Sequence, residues 1–282
     1  MTDITVTKAS GDLEPYKESK LRYSLFKAGA DKHIIDHITE AVYNELYEGI
    51  STKEIYQKAF EKLRGYSKRS AGRYKLKNAI LELGPTGYPF EKFIGELFRH
   101  LGYKTQVGII AEGDCVSHEI DVIADKDTDQ FMIECKFHNR KGLKCNVQVP
   151  LYIQSRFLDI QKKWKTKPAG NNTKHRAWLV TNTKFSNDAL QYGECMGIKM
   201  LSWDYPYEEG LKELIDRVNV HPITCLSSLS KKDKRRLLEI DVILCKQIFE
   251  DKQLLKMADI DTRKINRVYK EASAICNRVT TD

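Results

Sequence analysis

Long apolar runs are absent from this sequence of 282 residues, since no stretch of 18 or more apolar residues occurs. A transmembrane helix is therefore not expected, and the first residues lack the apolar core of a signal peptide. The seven cysteines are scattered and contain no C-x-x-C pair, which argues against a disulfide framework and against a zinc knuckle. These absences favour a cytoplasmic protein without a membrane partner. Hydrophobic residues make up 41% of the sequence, which excludes a wholly disordered chain.

Charge is distributed unevenly along the chain, although the net charge is only +8. Residues 112–134 contain eight acidic residues and one lysine, whereas residues 136–184 contain twelve basic residues and one acid, Asp159. An acidic cluster followed by a basic tract suits a metal-dependent enzyme that acts on a polyanion. Two solvated faces of opposite charge are the simpler alternative, and charge alone favours that alternative.

Two breaks divide the chain into three segments, in keeping with its length. The first break is a run of glycine and proline at residues 84–89, and the second is His221-Pro222. Residues 1–84 combine a short strand with four amphipathic helical patterns, which predicts a small and mainly helical domain. Residues 221–282 are predicted to be helical throughout.

The middle segment, residues 88–220, alternates between helical and strand patterns. A helix is followed by two or three strands, which include His118–Ala124 and Phe131–Phe137. A helix over Pro150–Trp164 comes next, and then a strand, a helix and a last strand at Ile198–Trp203. This order predicts an α/β fold in which helices flank a mixed sheet.

Two carboxylates stand out in the predicted hairpin of this segment. Asp121 lies among apolar residues in a strand, and a buried carboxylate there needs a partner or a metal. Glu134 and Lys136 share one face of the next strand because strand side chains alternate. The short hairpin should bring Asp121 and Glu134 to the same end of adjacent strands, where two carboxylates suit Mg²⁺. A surface salt bridge between Glu134 and Lys136 is the simpler interpretation of that pair.

The same residues resemble the signature of a known nuclease superfamily. Asp121, followed by Glu134-Cys135-Lys136, is similar to the D…(D/E)xK motif of the PD-(D/E)xK nucleases. Residues 88–103 resemble the opening helix of Mrr-type restriction endonucleases, and residues 148–152 match their Q-x-x-x-Y motif. Residues 179–198 resemble their late strand–helix–strand unit. The four blocks occur in the family's order.

The resemblance, which covers about residues 88–205, implies a restriction-like DNA endonuclease that hydrolyses phosphodiester bonds with metal-activated water. The site residues that it implies are Asp121, Glu134, Cys135, Lys136, Gln148 and Glu91. Asp121, Glu134 and the Cys135 carbonyl would hold Mg²⁺ or Mn²⁺. Lys136 would be the catalytic lysine, because a lysine there can neutralise charge that develops on the phosphate. Glu91 would complete the site through water, and Gln148 would orient a metal-bound water or a phosphate.

Double-stranded DNA is the partner that this resemblance implies. The residues that we expect to contact DNA, from their place in and around the basic tract, are Lys141, Lys144, Tyr152, Lys162 and Lys163. A double-strand cut needs two active sites, so we expect a homodimer or a larger homo-oligomer.

The N-terminal segment, residues 1–84, resembles a second family, the ATP-cone, which senses ATP and dATP in ribonucleotide reductases and in their transcriptional repressor. The matching blocks lie at residues 6–21, 49–52 and 71–74. The resemblance implies ATP or dATP as a regulatory ligand. The residues that it assigns to the nucleotide are Val6, Lys8, Glu14, Lys17, Lys20 and Thr52. Lys8 and Lys20 would hold phosphates, Glu14 and Thr52 would lie near the base or ribose, and Lys17 would be at another contact position. A helical interaction module without a nucleotide is the alternative.

For the C-terminal segment, residues 221–282, the sequence allows two roles, DNA binding and dimerisation. Residues 254–261 faintly resemble a helix–hairpin–helix, although they lack the glycine that this motif requires at its turn. Two rival functions also stay open for the whole chain. One is a nucleotide-responsive DNA-binding regulator with an inactive nuclease core, which the intact D…ExK motif argues against. The other is a DNA repair or junction-resolving nuclease, which shares the same core chemistry because target choice lies in surface loops and in the tail.

Overall fold

The computed structural model describes residues 4–8, 10–140, 142–166 and 173–277, and the chain divides into two compact units. One unit combines Met1–Ala79 with His221–Asp282, and the other comprises Ile80–Val220. The first and last segments of the sequence therefore share one unit, which the sequence patterns did not indicate. In the part of the chain that is described, no helix has both the length and the apolar character that a membrane crossing requires.

The N-terminal part of the first unit is a two-stranded antiparallel ribbon with four helices. Its elements are β1 (Thr5–Thr7), β2 (Leu13–Pro15), α1 (Glu18–Lys27), α2 (Lys32–Tyr43), α3 (Thr52–Tyr66) and α4 (Lys68–Leu81). Aliphatic side chains at helical spacing form one core; examples are Leu25, Ile38 and Leu63, which are fully buried. Ser51 caps α3, because its side chain accepts a hydrogen bond from the Glu54 amide.

The C-terminal part of this unit packs on α4. Thr224 Oγ1 donates a hydrogen bond of 2.7 Å to the Ala79 carbonyl, and Lys75 Nζ donates to the Thr224 carbonyl at 3.2 Å. Gly72 faces the buried side chain of Ile275, where an added Cβ would lie 2.7 Å from the Ile275 Cδ1 atom. Gly72 is therefore required for helix packing, because a larger residue would push the C-terminal helices away.

The C-terminal part contains four short helices and a 3₁₀ turn, and two pairs of these helices are joined by tight turns. The elements are a 3₁₀ turn (Ile223–Cys225), α9 (Lys231–Glu239), α10 (Cys245–Glu250), α11 (Gln253–Met257) and α12 (Thr262–Cys276). Asp241 and Asp259 occupy the two turns at φ 62° and 52°, and each precedes a buried aliphatic residue, Val242 or Ile260. The amides of these aliphatic residues donate to carbonyls five residues earlier. An aspartate therefore adopts the left-handed conformation at each turn, where a glycine is more usual. The resemblance to a helix–hairpin–helix stays a prediction.

The second unit is an α/β domain with a five-stranded mixed sheet, as the sequence predicts. Its elements are α5 (Tyr88–His100), β3 (Lys104–Glu112), β4 (Ser117–Lys126), β5 (Asp129–Lys136), β6 (Lys144–Cys145), α6 (Gln148–Lys165), β7 (Lys174–Thr181), β8 (Lys184–Phe185), α7 (Asn187–Cys195), β9 (Lys199–Leu201) and α8 (Leu211–Val218). The strand order is β3-β4-β5-β7-β9, in which the first two pairings are antiparallel and the last two are parallel. The last strand is shorter than the predicted Ile198–Trp203.

Helices cover both faces of this sheet. On one face the buried apolar side of α5 packs, and the ring of Phe98 meets Trp178 edge-on at 5.2 Å. On the other face the buried side of α6, including Phe157 and Ile160, packs with Met132 of β5. Side chains at even positions of β5 therefore point towards α6. This alternation places Glu134 on the α6 face, near the end of the strand.

Candidate active site

The antiparallel register of β4 and β5 brings Asp121 and Glu134 together. Val122 pairs with Ile133 at the last position of this register. Asp121 and Glu134 therefore lie opposite each other just beyond the paired part of the two strands. The backbone amide of Cys135 donates a hydrogen bond of 2.7 Å to Asp121 Oδ2. The hairpin thus holds one predicted carboxylate against the backbone beside the other.

Arg156 of α6 is the cation that faces these carboxylates. Arg156 Nη1 donates to Glu134 Oε2 at 2.6 Å, and Nη2 donates to the backbone carbonyl of Glu119. The guanidinium also lies over the ring of Tyr152, 5.3 Å from its centroid. The simpler interpretation of a salt bridge between Glu134 and Lys136 is therefore wrong. In the described chain the exposed Lys136 ammonium has no ion-pair partner.

The pKa values of three carboxyl groups are raised where these elements meet. Burial, and then the negative charges of Asp121 and Glu119, raise the pKa of Glu91 in the first turn of α5 to about 7. Burial and then the charge of Asp121 raise the pKa of Glu134 to about 7, although the nearby Arg156 opposes this effect. Burial also raises the pKa of Asp121. The site is therefore short of positive charge.

The donor set fits a hard divalent cation. Asp121 and Glu134 each use one carboxylate oxygen in the hydrogen bonds above, and the other oxygen makes none within the described chain. Two carboxylates with free oxygens suit Mg²⁺, which keeps waters in its shell, and the Cys135 carbonyl is the third ligand that the nuclease resemblance implies. Among the described residues no three His, Cys, Asp or Glu side chains surround one point. A metal here would therefore need the carbonyl, water and phosphate to complete its shell.

The thiol of Cys135 is separate from this chemistry. Its side chain is buried, and burial followed by the charges of Asp121 and Glu91 raises the pKa of the thiol well above its ordinary value. A protonated, buried thiol is a poor nucleophile. Only the backbone of Cys135 is available to the site.

Gln148 does not contact the carboxylates directly. It is the first residue of α6 and is exposed. Its backbone amide donates a hydrogen bond to Asn146 Oδ1 at 3.2 Å, and its side-chain oxygen accepts one from Asn146 Nδ2 at 3.5 Å. Gln148, Tyr152 and Arg156 are spaced four residues apart, which places them along one side of the helix. Gln148 therefore shares the helix side from which Arg156 reaches Glu134.

The residues predicted to contact DNA are dispersed over the second unit. Lys144 in β6 and Tyr152 in α6 are exposed. Lys162 pairs with the carboxylate of Asp114 on the loop between β3 and β4. Lys163 lines a cavity at the end of α6. Lys141 lies outside the described residues.

In the first unit, a cleft of about 160 Å³ brings together five of the six residues assigned to a nucleotide. These five are Val6, Glu14, Lys17, Lys20 and Thr52. The sixth, Lys8, binds Glu14 at 2.8 Å, while Lys20 binds the other oxygen of Glu14 at 3.0 Å. The two ammonium groups lower the pKa of Glu14. Tyr56 and Tyr74 stack 4.9 Å apart in the wall of this cleft.

Sequence reasoning missed two features of the second unit. One is Arg156, whose spacing from the Q-x-x-x-Y motif is a signal that could have identified it. The other is Asp159 of α6, which binds His118 Nε2 at 2.7 Å and the amides of Cys115 and Val116. Hydrogen bonds, that of His118 first, lower the pKa of Asp159. Because Asp159 is the single acid in a basic tract, the sequence could have indicated a structural role for it. In the structure it anchors the loop between β3 and β4 on α6.

Comparisons with known proteins match most of the chain. Residues 84–204 match the family model Mrr_cat, described as restriction endonuclease, and residues 221–276 match the model described as AF1548-like, C-terminal. An uncharacterized protein of Archaeoglobus fulgidus is 34% identical over 186 residues, which are 64% of this chain and 99% of that protein. The solved structure titled "Crystal Structure of Protein of Unknown Function AF1548" is 31% identical, with a TM-score of 0.57, over 68% of this chain and 98% of that chain.

These matches confirm the predicted restriction endonuclease domain of the PD-(D/E)xK type. They also identify the C-terminal residues as a domain with known relatives. Neither family match includes residues 1–83.

Proposed function

Because the chain belongs to the AF1548-like family and contains a restriction endonuclease domain, we propose that it is a divalent-metal-dependent endonuclease of double-stranded DNA. One observation carries this proposal. Asp121 and Glu134 lie opposite each other where the pairing of β4 and β5 ends, both are partly buried, and each has an uncommitted oxygen. Burial raises the pKa of both carboxyl groups, and the charge of Asp121 also raises the pKa of Glu134. A bound cation that the two carboxylates held in common would stabilise their charged forms.

Each residue of the site has a role in this proposal. Asp121, Glu134 and the Cys135 carbonyl would hold Mg²⁺ or Mn²⁺, which when bound supplies a Lewis acid and an acidified water. Lys136, exposed at the end of β5, would neutralise charge that develops on the phosphate. Glu91, with a pKa of about 7, would hold a proton near the attacking water. Gln148 would orient a water or a phosphate from the start of α6.

Basic and aromatic residues of the second unit support DNA as the substrate, since Lys144 and Tyr152 are exposed and Lys163 is half-buried. Lys144 and Lys163 would contact phosphates without reading the sequence, and Tyr152 offers an exposed ring beside Arg156. Lys162 would have to exchange Asp114 for a phosphate. Lys141 is proposed as a DNA contact only from its place in the basic tract of the sequence. Cleavage of both strands would require a homodimer or a larger homo-oligomer.

We further propose that the cleft of the first unit binds ATP or dATP as a regulatory ligand, as an ATP-cone does. Lys8 and Lys20 share a single carboxylate, Glu14, which a triphosphate would replace as their partner. Lys17 and Thr52 also line the cleft and would contact the nucleotide. Binding would set the oligomeric state or the access of DNA to the nuclease.

Cleavage of supercoiled plasmid tests the nuclease proposal. The pure protein is expected to nick plasmid in Mg²⁺ or Mn²⁺ and to be inactive in EDTA. Glu134→Gln should abolish nicking, whereas Glu194→Gln, an exposed glutamate of α7, should retain it. DNA binding without cleavage of any plasmid, unaffected by Asp121→Ala, would instead support the DNA-binding regulator.

A separate measurement tests the regulatory ligand. Millimolar ATP or dATP should change the thermal stability, the oligomer size or the cleavage rate of the full-length protein. If all three stay the same with both nucleotides, the first unit is an interaction module and the regulatory proposal is wrong.

A further inference from the structure

The cavity at the end of α6, which Lys163 lines, has no role in the carboxylate chemistry described above. Its volume is about 440 Å³, which lies within the range of roughly 300–1,000 Å³ that ligand pockets occupy. It opens between β3, the sheet and the last turns of α6. Its main lining residues are Ile110, Ile123, Gln130, Lys163, Trp164 and His175. Apolar walls with a few polar groups are typical of a site for a small ligand.

Among the described residues that line this pocket, His175 is the one whose buried side-chain nitrogens lack a partner. Both of its ring nitrogens are buried, and neither has a hydrogen bond to any described residue. Buried polar groups in proteins nearly always have partners. Burial lowers the pKa of His175, so the ring is neutral at pH 7 and offers one donor and one acceptor. A ligand that entered the pocket would supply the partners that these two groups lack.

Gln130 and Trp164 complete the recognition chemistry around His175. Gln130 pairs with His175 in the parallel register of β5 and β7, so both side chains lie on one face at one level of the sheet. Gln130 Nε2 donates to Asp125 Oδ1 at 2.9 Å, which leaves its carbonyl oxygen as an acceptor. The Trp164 ring lies 5.0 Å from the His175 ring. The pocket therefore offers an aromatic wall beside donors and acceptors, which matches the face and the edge of a nucleobase.

The position of the pocket relates it to the carboxylate cluster. Gln130 precedes Glu134 by four residues on β5, a distance of about 13 Å along the strand. Stacked bases follow one another at about 3.4 Å, so this distance corresponds to about four nucleotides. Helix α6 contributes to both places, with Arg156 at the carboxylates and Lys163 at the pocket. A DNA strand that ran along α6 would pass both places.

We propose that this pocket accepts a nucleobase turned out of the duplex about four nucleotides from the cleaved bond, and so selects the DNA that is cut. The proposal rests on the DNA substrate proposed above. Lys163 at the rim contacts the phosphate beside the displaced base, and Trp164 with His175 holds the base. Damaged, modified or mispaired bases enter most readily, because they cost least to remove from the stack.

Photocrosslinking tests this proposal without relying on cleavage. The full-length protein is mixed in EDTA with a duplex that carries one 5-iodouracil opposite guanine, and the crosslinked peptide is identified by mass spectrometry. We expect the crosslink at Trp164 or His175. A crosslink confined to other residues, or no binding of the duplex, overturns the proposal.

His175→Leu is the variant that separates recognition from folding. Because the ring nitrogens have no protein partner, leucine should leave the thermal stability unchanged or raise it. The crosslink yield should fall about tenfold, as expected when a pocket hydrogen bond to the base is removed. Tyr207→Leu, an exposed residue that does not line the pocket, is the matched control and should retain the yield. Equal yields for His175→Leu and the wild type overturn the proposal.

Plasmid nicking in Mg²⁺ is measured in parallel, so that the two proposals can fail separately. Nicking with crosslinks outside the pocket contradicts the base pocket and supports the nuclease. Crosslinks at Trp164 or His175 without nicking of any plasmid support the base pocket and contradict the nuclease.

Discussion

Arg156 and Glu134 form an ion pair of 2.6 Å between the middle of α6 and the end of β5, and both side chains are largely buried. This pair joins the helix to the strand at the point where two carboxylates come together. Arg156 is therefore the residue through which the packing of α6 affects the charge of the site.

We expect Arg156→Met to destabilise the protein by about 2–4 kcal/mol in urea unfolding, because it leaves a buried carboxylate without its cation. The double variant with Glu134→Gln should recover much of this loss, since it removes the unpaired charge. Arg99→Met, which breaks an exposed pair with Glu96 on α5, is the matched control and should cost about 1 kcal/mol or less. Equal losses for Arg156→Met with and without Glu134→Gln would contradict the ion-pair explanation.

The raised pKa values of Glu91 and Glu134 predict how the metal-free protein responds to pH. A carboxyl group whose pKa rises to about 7 on folding binds a proton more tightly in the folded state than in the unfolded state. Its stabilising contribution is fully present below the unfolded value of 4.5 and is lost as the pH rises through about 7. Thermal unfolding in EDTA should therefore show stability that declines over this range. The slope should become smaller in Glu91→Gln, and an unchanged slope would show that Glu91 titrates normally.

Lys20→Ala should weaken the binding of ATP by roughly tenfold, because it removes one charge-assisted hydrogen bond to a phosphate. Isothermal titration calorimetry on the full-length protein measures this difference directly. Lys27→Ala is the control, since Lys27 lies on the same helix but does not line the cleft. The cleft would not be the phosphate site if both variants bound ATP as the wild type does.

Gly72→Val should destabilise the first unit by about 1–3 kcal/mol, because its side chain would overlap the buried Ile275. Ile275→Ala in the same chain should restore part of the loss by making room. Gly65→Ala in α3 is the opposite control, as its Cβ meets nothing within 4 Å and alanine favours the helix by roughly 0.5–1 kcal/mol. Chemical denaturation of the three variants measures whether position 72 requires glycine because a side chain there would overlap Ile275.

The α/β order of the nuclease unit could be predicted because apolar residues recur in its helices and strands at the spacing typical of each. The hairpin that joins Asp121 to Glu134 is short, so the alternation of each strand and the turn between them place the two carboxylates. The same reasoning could not find Arg156. It lies 22 residues after Glu134, and the rotation of α6 against the sheet depends on packing around residues such as Phe157.

The C-terminal turns show a different limit of sequence reasoning. The sequence predicts helices there, but the missing glycine argued against a helix–hairpin–helix. The backbone adopts the left-handed turn at Asp241 and Asp259 because the following aliphatic residue is buried and its amide is bonded. Burial of that residue offsets the modest cost of a positive φ at aspartate.

By itself, the sequence determined which residues share a face along β4 and β5 and where the helices of each segment lie, because these periods are properties of the local chain. It also determined the order of motifs that identifies the nuclease domain. Only the tertiary structure decided that Glu134 pairs with Arg156 and that Gln130, Trp164 and His175 enclose one pocket. These residues lie far apart in the chain, and their contacts depend on how a helix packs on a sheet.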